Sequence, residues 1–181
     1  MAQYIRPRRP GATIFFTLCL QEAESTLLID EITRLRQAVR TVREVQPFRI
    51  DSWVVLPDHL HAIWTLPDGD CDYAARWAAI KARFSRGLPG GVETPRLVAR
   101  REKGIWQRRF WEHHIRDAAD LAQHRTYCWT DPVRHGLVRQ PRDWRYSSYH
   151  RDALGQEPVV DLPRVPTGER APRVGRASAR P

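Results

Sequence analysis

Two histidines, His59 and His61, stand one residue apart in VVLPDHLHAIW, residues 54–64. The stretch is apolar on both sides of a short polar step and reads as a buried strand. Side chains alternate along a strand, so both imidazoles project from one face with Ile63, while Leu60, Ala62 and Trp64 share the other. At that spacing two ring nitrogens can reach one metal ion, and neutral imidazole is a common metal ligand. Histidines at i, i+2 also arise by chance, so the pair alone leaves ligation and a purely structural role both open. A third ligand and a chemical partner are needed to decide.

The elements that would position the pair follow from periodicity and turn residues. Residues 13–20, TIFFTLCL, are β-branched and aromatic and form a first strand. Asp30 reads as an N-cap. Ile32, Leu35, Val39 and Val42 recur behind it at helical spacing, which predicts an amphipathic helix to about residue 45. Pro47 breaks it. Residues 48–56 and 59–66 are strands joined by a tight turn at Pro57-Asp58. Asp72 opens a second helix, with Tyr73, Trp77, Ile80 and Phe84 on one face. A basic loop rich in glycine and proline fills 87–104. Residues 105–115, IWQRRFWEHHI, form a fourth strand. Asp117 caps a third helix to about residue 130, with Asp120 completing a weak capping box. The order strand, helix, strand, strand, helix, strand, helix is that of the ferredoxin-like split βαβ, an α+β fold. Its antiparallel sheet has helices on one face and leaves the other for a site. One domain is expected over 1–155. Residues 156–181 are rich in Pro, Arg, Gly and Ser and are expected to be a disordered basic tail.

The formal net charge is +9, and Lys81 and Lys103 are the only lysines, so arginine supplies nearly all the positive charge. A field of that sign attracts polyanions, of which nucleic acid is the commonest large one. A solvated arginine-rich surface is the bland alternative. Cys19, Cys71 and Cys128 lie far apart without a C-x-x-C pair, which argues against a disulfide framework or structural zinc and fits a reducing cytosol. No run approaches the roughly 20 apolar residues of a membrane span, and the N-terminus has no apolar signal core, so a cytoplasmic location is expected.

Three ordered motifs, VVLPDHLHAIWTLPDGD, WQRRFWEHHIRDAADLAQH and DPVRHGLV, resemble the single-tyrosine transposases, in particular the REP-associated tyrosine transposases of bacteria. The likeness runs from about Tyr4 to Asp152. That family belongs to the His-hydrophobic-His endonucleases. The resemblance implies that His59 and His61 bind a divalent metal, Mg²⁺ or Mn²⁺. It implies that Tyr127, inside HRTYCWTDPVRHG, is the nucleophile. Asp131 falls where the family usually has asparagine or glutamine as third ligand. The implied activity is cleavage and rejoining of single-stranded DNA at hairpins of repetitive extragenic palindromes, through a 5′-phosphotyrosine. The implied setting is a bacterial, nucleoid-associated protein acting as a monomer rather than a dimer. At i, i+4, Tyr127 and Asp131 share a helical face if the helix continues that far, and that face can lie over the open side of the sheet. On local rules alone, Asp131-Pro132 is a good N-cap and first-turn pair for a short helix over PVRHGL, and Tyr127 is a core aromatic. Cys128, Trp129 and Thr130 are also unusual for the family. The alternative is therefore a catalytically impaired protein of the same fold that still binds hairpins or single-stranded DNA.

Arg108, Arg109, Arg116 and Arg134 flank the candidate site in sequence and are the expected DNA contacts. A guanidinium forks onto phosphate and also stacks on bases. Arg96, Arg100 and Arg101 lie on the loop before them, and Arg6, Arg8 and Arg9 at the N-terminus. At least two of Trp106, Phe110 and Trp111 are expected in the core, stacking on bases being the other use. His113 and His114 point to opposite faces of their strand. His113 is expected to meet solvent, and neither has a catalytic role.

Overall fold

The computed structural model describes residues 9–100 and 102–154. The tail expected over 156–181, and Arg6, Arg8 and Arg101, lie outside the described residues. The elements are β1 (Thr13–Cys19), α1 (Leu27–Asp30), α2 (Ile32–Val45), β2 (Arg49–Val55), β3 (His59–Thr65), α3 (Tyr73–Ser85), α4 (Pro95–Ala99), β4 (Trp111–His114), α5 (Ala118–Arg134) and α6 (Tyr149–Leu154), with a 3-10 turn at Pro141–Asp143. The strands form one antiparallel sheet in the order β2-β3-β1-β4. This is the ferredoxin-like α+β arrangement that the order of elements predicts. Among the described residues no helix is long and apolar enough to cross a membrane.

Alternation along the strands divides the apolar residues between two layers. Phe16, Leu18, Leu60 and Trp64 meet the apolar stripes of α2 and α3, including Leu35, Val39, Trp77 and Ile80. Trp64 lies at the centre, its ring centroid 4.0 Å from both Phe48 and Trp77. On the opposite face Phe15, Val54, Leu56 and Ile63 are covered by α5 through Leu121, Tyr127 and Cys128.

Several elements differ from the sequence-based expectation. Asp30 does not cap the long helix. It sits in the one-turn α1, where Thr26 donates to its carboxylate at 2.7 Å, and α2 starts behind Glu31 with no side-chain cap. Asp72 does cap α3, accepting from the Ala75 amide at 3.0 Å. Asp72→Ala is therefore expected to lower stability by about 1 kcal/mol, read from the urea midpoint at constant m.

β4 is shorter than the aromatic run suggests. Trp111 pairs with Thr17, while an isolated bridge joins Trp106 to Leu20. Between these pairs β1 advances three residues and its partner five, so two residues loop out. Arg108 and Arg109 are exposed on that loop, and Lys81 anchors it through the Gln107 carbonyl at 2.9 Å. Trp106 is buried and Phe110 packs against the main core, as expected of two of the three aromatics, while Trp111 is exposed.

β2 carries a bulge between Ile50 and Ser52. A strict period of two would put Ile50 and Trp53 on opposite faces. The extra residue, Asp51, lets both pack against the helix-side core. Residues 144–148 cover the outer edge of β2. Ser147 bridges Val54, the Val55 amide donates to the Tyr146 carbonyl at 2.9 Å, and the Ser148 amide to the Trp53 carbonyl at 2.7 Å. That edge is therefore closed to strand addition from outside.

Candidate functional site

β3 presents His59 and His61 on the face that α5 covers, and neighbouring residues hold both rings from behind. Asp58 bonds Nδ1 of His59 at 2.6 Å. Thr17, opposite His61 across the β1–β3 ladder, bonds its Nδ1 at 2.8 Å. Both Nε2 atoms then point at one place, each 3.2 Å from Oδ2 of Asp131. His61 is 2% exposed and Asp131 1%.

Asp131 reaches this place because α5 does not stop near residue 130. It starts behind Asp117, which accepts from the Asp120 amide at 2.9 Å, and runs through Pro132 to Arg134. Asp131 is thus not the N-cap of a new helix. Pro132, having no N–H, only leaves the Cys128 carbonyl without its usual amide donor. Continuity of the helix keeps Tyr127 and Asp131 on one face. The Tyr127 ring stands edge-on to His61, centroids 5.1 Å apart, and the Arg134 guanidinium lies 4.6 Å over the Tyr127 ring. Arg134 Nη1 is also 3.9 Å from Asp131 Oδ1.

These contacts set the protonation states. Burial opposes charging His59, but hydrogen bonds to Asp131 and Asp58 outweigh it and raise its pKa to about 9. In His61 burial prevails and lowers the pKa. Burial also opposes ionisation of Asp131, yet the bonds from both histidines hold it well below the usual carboxylate range. The resting set is therefore an imidazolium at His59, a neutral His61 and a carboxylate. Burial raises the Tyr127 pKa, the Asp131 charge adds to that, and Arg134 works against it.

The structure brings together all four residues expected at the centre. It adds three that sequence reasoning missed. Asp58 was visible as the residue before His59. Thr17 was not, because only the strand register places it behind His61. His135, one helical turn beyond Asp131, brings Nε2 to 3.7 Å from Asp131 Oδ2, and ligand atoms of His59, Asp131 and His135 lie within 4.8 Å of one another.

Of the four arginines expected on DNA, Arg134 lies at the site. Arg108 and Arg109 precede Trp111, which pairs with Thr17 behind His61. Arg116 instead binds Asp120 at 3.0 Å, at the opposite end of α5 from Asp131. His113 does not simply meet solvent either. It bonds Oδ2 of Asp120 at 2.9 Å and stacks on His124 at 4.6 Å. The Asp120 carboxylate also lies 3.0 Å from His124 Nδ1 and accepts from both the amide and Nε of Arg116. Asp117 thus makes the cap half of the box, while the Asp120 carboxylate reaches back to the Arg116 amide and joins an ion-pair network. Phe15 joins it to the site, with ring centroids 4.8 Å from His124, 5.4 Å from His61 and 5.9 Å from Tyr127.

The unusual residues after Tyr127 serve the helix. Cys128 is fully buried in the apolar layer, and burial drives its thiol pKa far up. Trp129 packs on Tyr149, and Thr130 donates to the Thr126 carbonyl at 2.8 Å.

No family model matches the chain. It is 43% identical over 160 residues to the REP-associated tyrosine transposase of Escherichia coli (strain K12), which covers 88% of this chain and 90% of that protein. It is 44% identical over 158 residues to a provisionally named REP-associated tyrosine transposase of Haemophilus influenzae (strain ATCC 51907 / DSM 11121 / KW20 / Rd), covering 86% and 90%. Among solved structures, a REP-associated tyrosine transposase bound to a REP hairpin aligns with a TM-score of 0.74 and 41% identity, over 94% of this chain and 99% of that one. With identity at this level across nearly the whole of both curated relatives, the chain belongs to the REP-associated tyrosine transposase family.

Proposed function

We propose that this protein cleaves and rejoins single-stranded DNA at hairpins of repetitive extragenic palindromes, with Tyr127 as nucleophile and His59, His61 and Asp131 holding a divalent cation, Mg²⁺ or Mn²⁺. One observation carries the reading: two Nε2 atoms converge on one buried carboxylate oxygen beside a tyrosine from the same helix. The Asp131 carboxylate is the donor that suits Mg²⁺ or Mn²⁺, the imidazoles suit softer divalent metals, and His135 shares with His59 and Asp131 the group of ligand atoms within 4.8 Å of one another. Asp58 and Thr17 hold the rings by their other nitrogens, as outer partners of metal-binding histidines do. When bound, the cation supplies Lewis-acid withdrawal of charge from the phosphate.

The chain's own groups account for the rest. The Tyr127 hydroxyl gives up its proton and attacks phosphorus. A tyrosine phosphodiester forms, the DNA phosphodiester breaks, and the departing 3′-oxygen takes a proton. One phosphodiester replaces another, so attack by a 3′-hydroxyl on the 5′-phosphotyrosine rejoins the strand without an external energy source. Arg134, stacked on the phenol ring, favours a developing phenolate and can also fork onto the phosphate. The hairpin in the solved relative supports the substrate class. A single chain sets Tyr127 against its own His61, which supports action as a monomer.

The test is a denaturing gel. The protein is mixed with Mn²⁺ and single-stranded hairpins taken from repeats near its own gene. A covalent adduct is expected that is absent with EDTA. Tight hairpin binding with no adduct in any divalent metal would overturn cleavage and leave a hairpin-binding protein.

A pH dependence follows from His59. Its folded pKa, about 9, lies above the ordinary value of 6.5. Its contribution to stability is therefore fully present below about pH 6.5 and is lost as pH rises through about 9. Cation binding must displace that proton, so affinity should rise by up to about tenfold per pH unit across the same window. Melting curves in EDTA are expected to shift down from pH 6.5 to 9. The extra stabilisation by Mn²⁺ should grow over that range. A Mn²⁺ effect independent of pH would show that the ion does not compete with the His59 proton.

A further inference from the structure

Tyr127, Asp131 and His135 follow one another at intervals of four, so they stand on successive turns of one face of α5. His135 closes the helix. Its amide donates to the Asp131 carbonyl at 3.0 Å, and Gly136 follows at φ +68°, a left-handed conformation that glycine adopts without strain. The chain turns away there and leaves the His135 ring beside Asp131, with its side chain 51% exposed where that of Asp131 is 1% exposed. Its Nε2 stands 3.7 Å from Asp131 Oδ2, too far for a hydrogen bond, and an imidazolium simply paired with the carboxylate would close to about 2.8 Å. The spacing suits two ligands of one ion. Donors each about 2.1 Å from a common ion stand roughly 3.0 Å apart at a right angle and roughly 3.4 Å apart at a tetrahedral one. The Nε2 atoms of His59 and His61 lie 3.2 Å from the same Asp131 oxygen. The rings of His59 and His135 are tilted by 55°, with centroids 5.0 Å apart, so neither covers the nitrogen of the other. A second cluster, His113, Asp120 and His124, lacks this arrangement. Its two imidazoles are stacked with their planes 13° apart, so one ion cannot lie near both ring planes, and Arg116 already pairs with its carboxylate.

We infer that His135 is a fourth ligand of the cation, reaching it from the solvent side, and that the three imidazoles and one carboxylate so assembled select a first-row transition ion over Mg²⁺. The inference rests on the cation site proposed above and adds a donor and a preference to it. Mg²⁺ favours oxygen ligands and gives up its water reluctantly, whereas imidazole donors favour transition ions, with affinity rising from Mn²⁺ toward Zn²⁺. Of the two ions named above, the set therefore takes Mn²⁺. Burial divides the four donors. The side chains of His61 and Asp131 are 2% and 1% exposed, and that of His59 is 13% exposed, so sheet and helix fix all three. His135 is the one that is largely exposed, so its ring can close the remaining distance to an ion, and removing it disturbs no buried packing.

The experiment measures binding of Zn²⁺, Mn²⁺ and Mg²⁺ by calorimetry, in the absence of DNA. Wild type is compared with His135→Ala and with His113→Ala. Wild type is expected to bind Zn²⁺ and Mn²⁺ more tightly than Mg²⁺. His135→Ala should weaken Zn²⁺ binding at least about tenfold, since even an outer partner of a metal ligand is worth that much. It should change Mg²⁺ binding by no more than about twofold, because imidazole contributes little to that ion. Co²⁺ supplies a second readout. The visible absorption of the bound ion should shift in His135→Ala as water replaces a nitrogen donor, which a purely structural role would not produce. Melting in EDTA should be unchanged, as the side chain is exposed. A variant that melts lower in EDTA yet binds all three ions like wild type would make His135 a helix-end charge and overturn the inference. Loss of Zn²⁺ binding in His113→Ala and not in His135→Ala would place the ion at the second cluster and also overturn it. In both cases a covalent adduct formed with Mn²⁺ would leave the proposed function standing. Wild type that binds Mg²⁺ as tightly as Mn²⁺ overturns the preference, and wild type that binds none of the three ions overturns the inference and the cation site together.

Discussion

Tyr127→Phe is expected to abolish the covalent adduct, lowering its rate of formation by on the order of 10⁴ or more, while hairpin affinity stays within about twofold. The substitution removes one oxygen and leaves the ring in place. That ring packs edge-on to His61 and Phe15 and lies under Arg134, and only the bond from Arg134 to the hydroxyl is lost with the oxygen. Loss of the adduct therefore reports chemistry and not collapse of the site. Asp131→Ala should fail differently. It removes the oxygen that both histidines approach and takes away a charge that raises the His59 pKa. Adduct formation and Mn²⁺ binding should be lost together, and the steep pH dependence of Mn²⁺ affinity with them. Asp131→Asn keeps an oxygen at that place, so it should retain adduct formation. An adduct that persists in Tyr127→Phe would place the nucleophile elsewhere, and peptide mapping of the modified residue would find it.

The histidine pair was legible because a strand has a period of two and nothing in β3 interrupts it. The order of elements was legible for a related reason, since each strand and long helix carries its own apolar pattern. What escaped were features where a distant contact overrides a local rule. Asp-Pro is locally a strong helix start, yet α5 continues through it. Packing of Leu121, Tyr127 and Cys128 against the sheet, and the bonds of both histidines to Asp131, hold the helix up to the single missing amide bond. The bulge at Asp51 left no trace in the polarity of β2, and without it Trp53 cannot be placed. The ion pair of Arg116 with Asp120, four residues on, was not read from charge alone. His113 looked solvent-facing because its partner, His124, lies on another element.

That last group is where the largest stability effect is expected. Asp120→Ala should cost about 3 kcal/mol, since it removes the buried carboxylate that accepts from His113 and from the amide and Nε of Arg116, while His124 keeps its bond to the residue-120 carbonyl. For a domain of this size that is roughly a 10 °C fall in melting temperature. Asp120 is 5% exposed and His124 4%, so neither the lost carboxylate nor the histidine left behind is readily replaced by water. The Asp120 pKa points the same way. Burial opposes its ionisation, but hydrogen bonds from His113 and Arg116 hold it well below the ordinary carboxylate value. With a depressed folded pKa, its contribution is present above the unfolded value near pH 4 and is lost as pH falls through the folded one. The gap between wild type and Asp120→Asn should therefore be full at neutral pH and shrink below about pH 4. The effect should also reach the site, because Phe15 touches His124 on one side and His61 and Tyr127 on the other. Loosening the first turns of α5 changes how firmly the helix carrying Tyr127 and Asp131 is seated. Melting at pH 7 in EDTA isolates the network from any cation. A variant that melts with wild type there would mean that packing alone holds the start of α5, and that Asp120 orients its three partners without stabilising the fold.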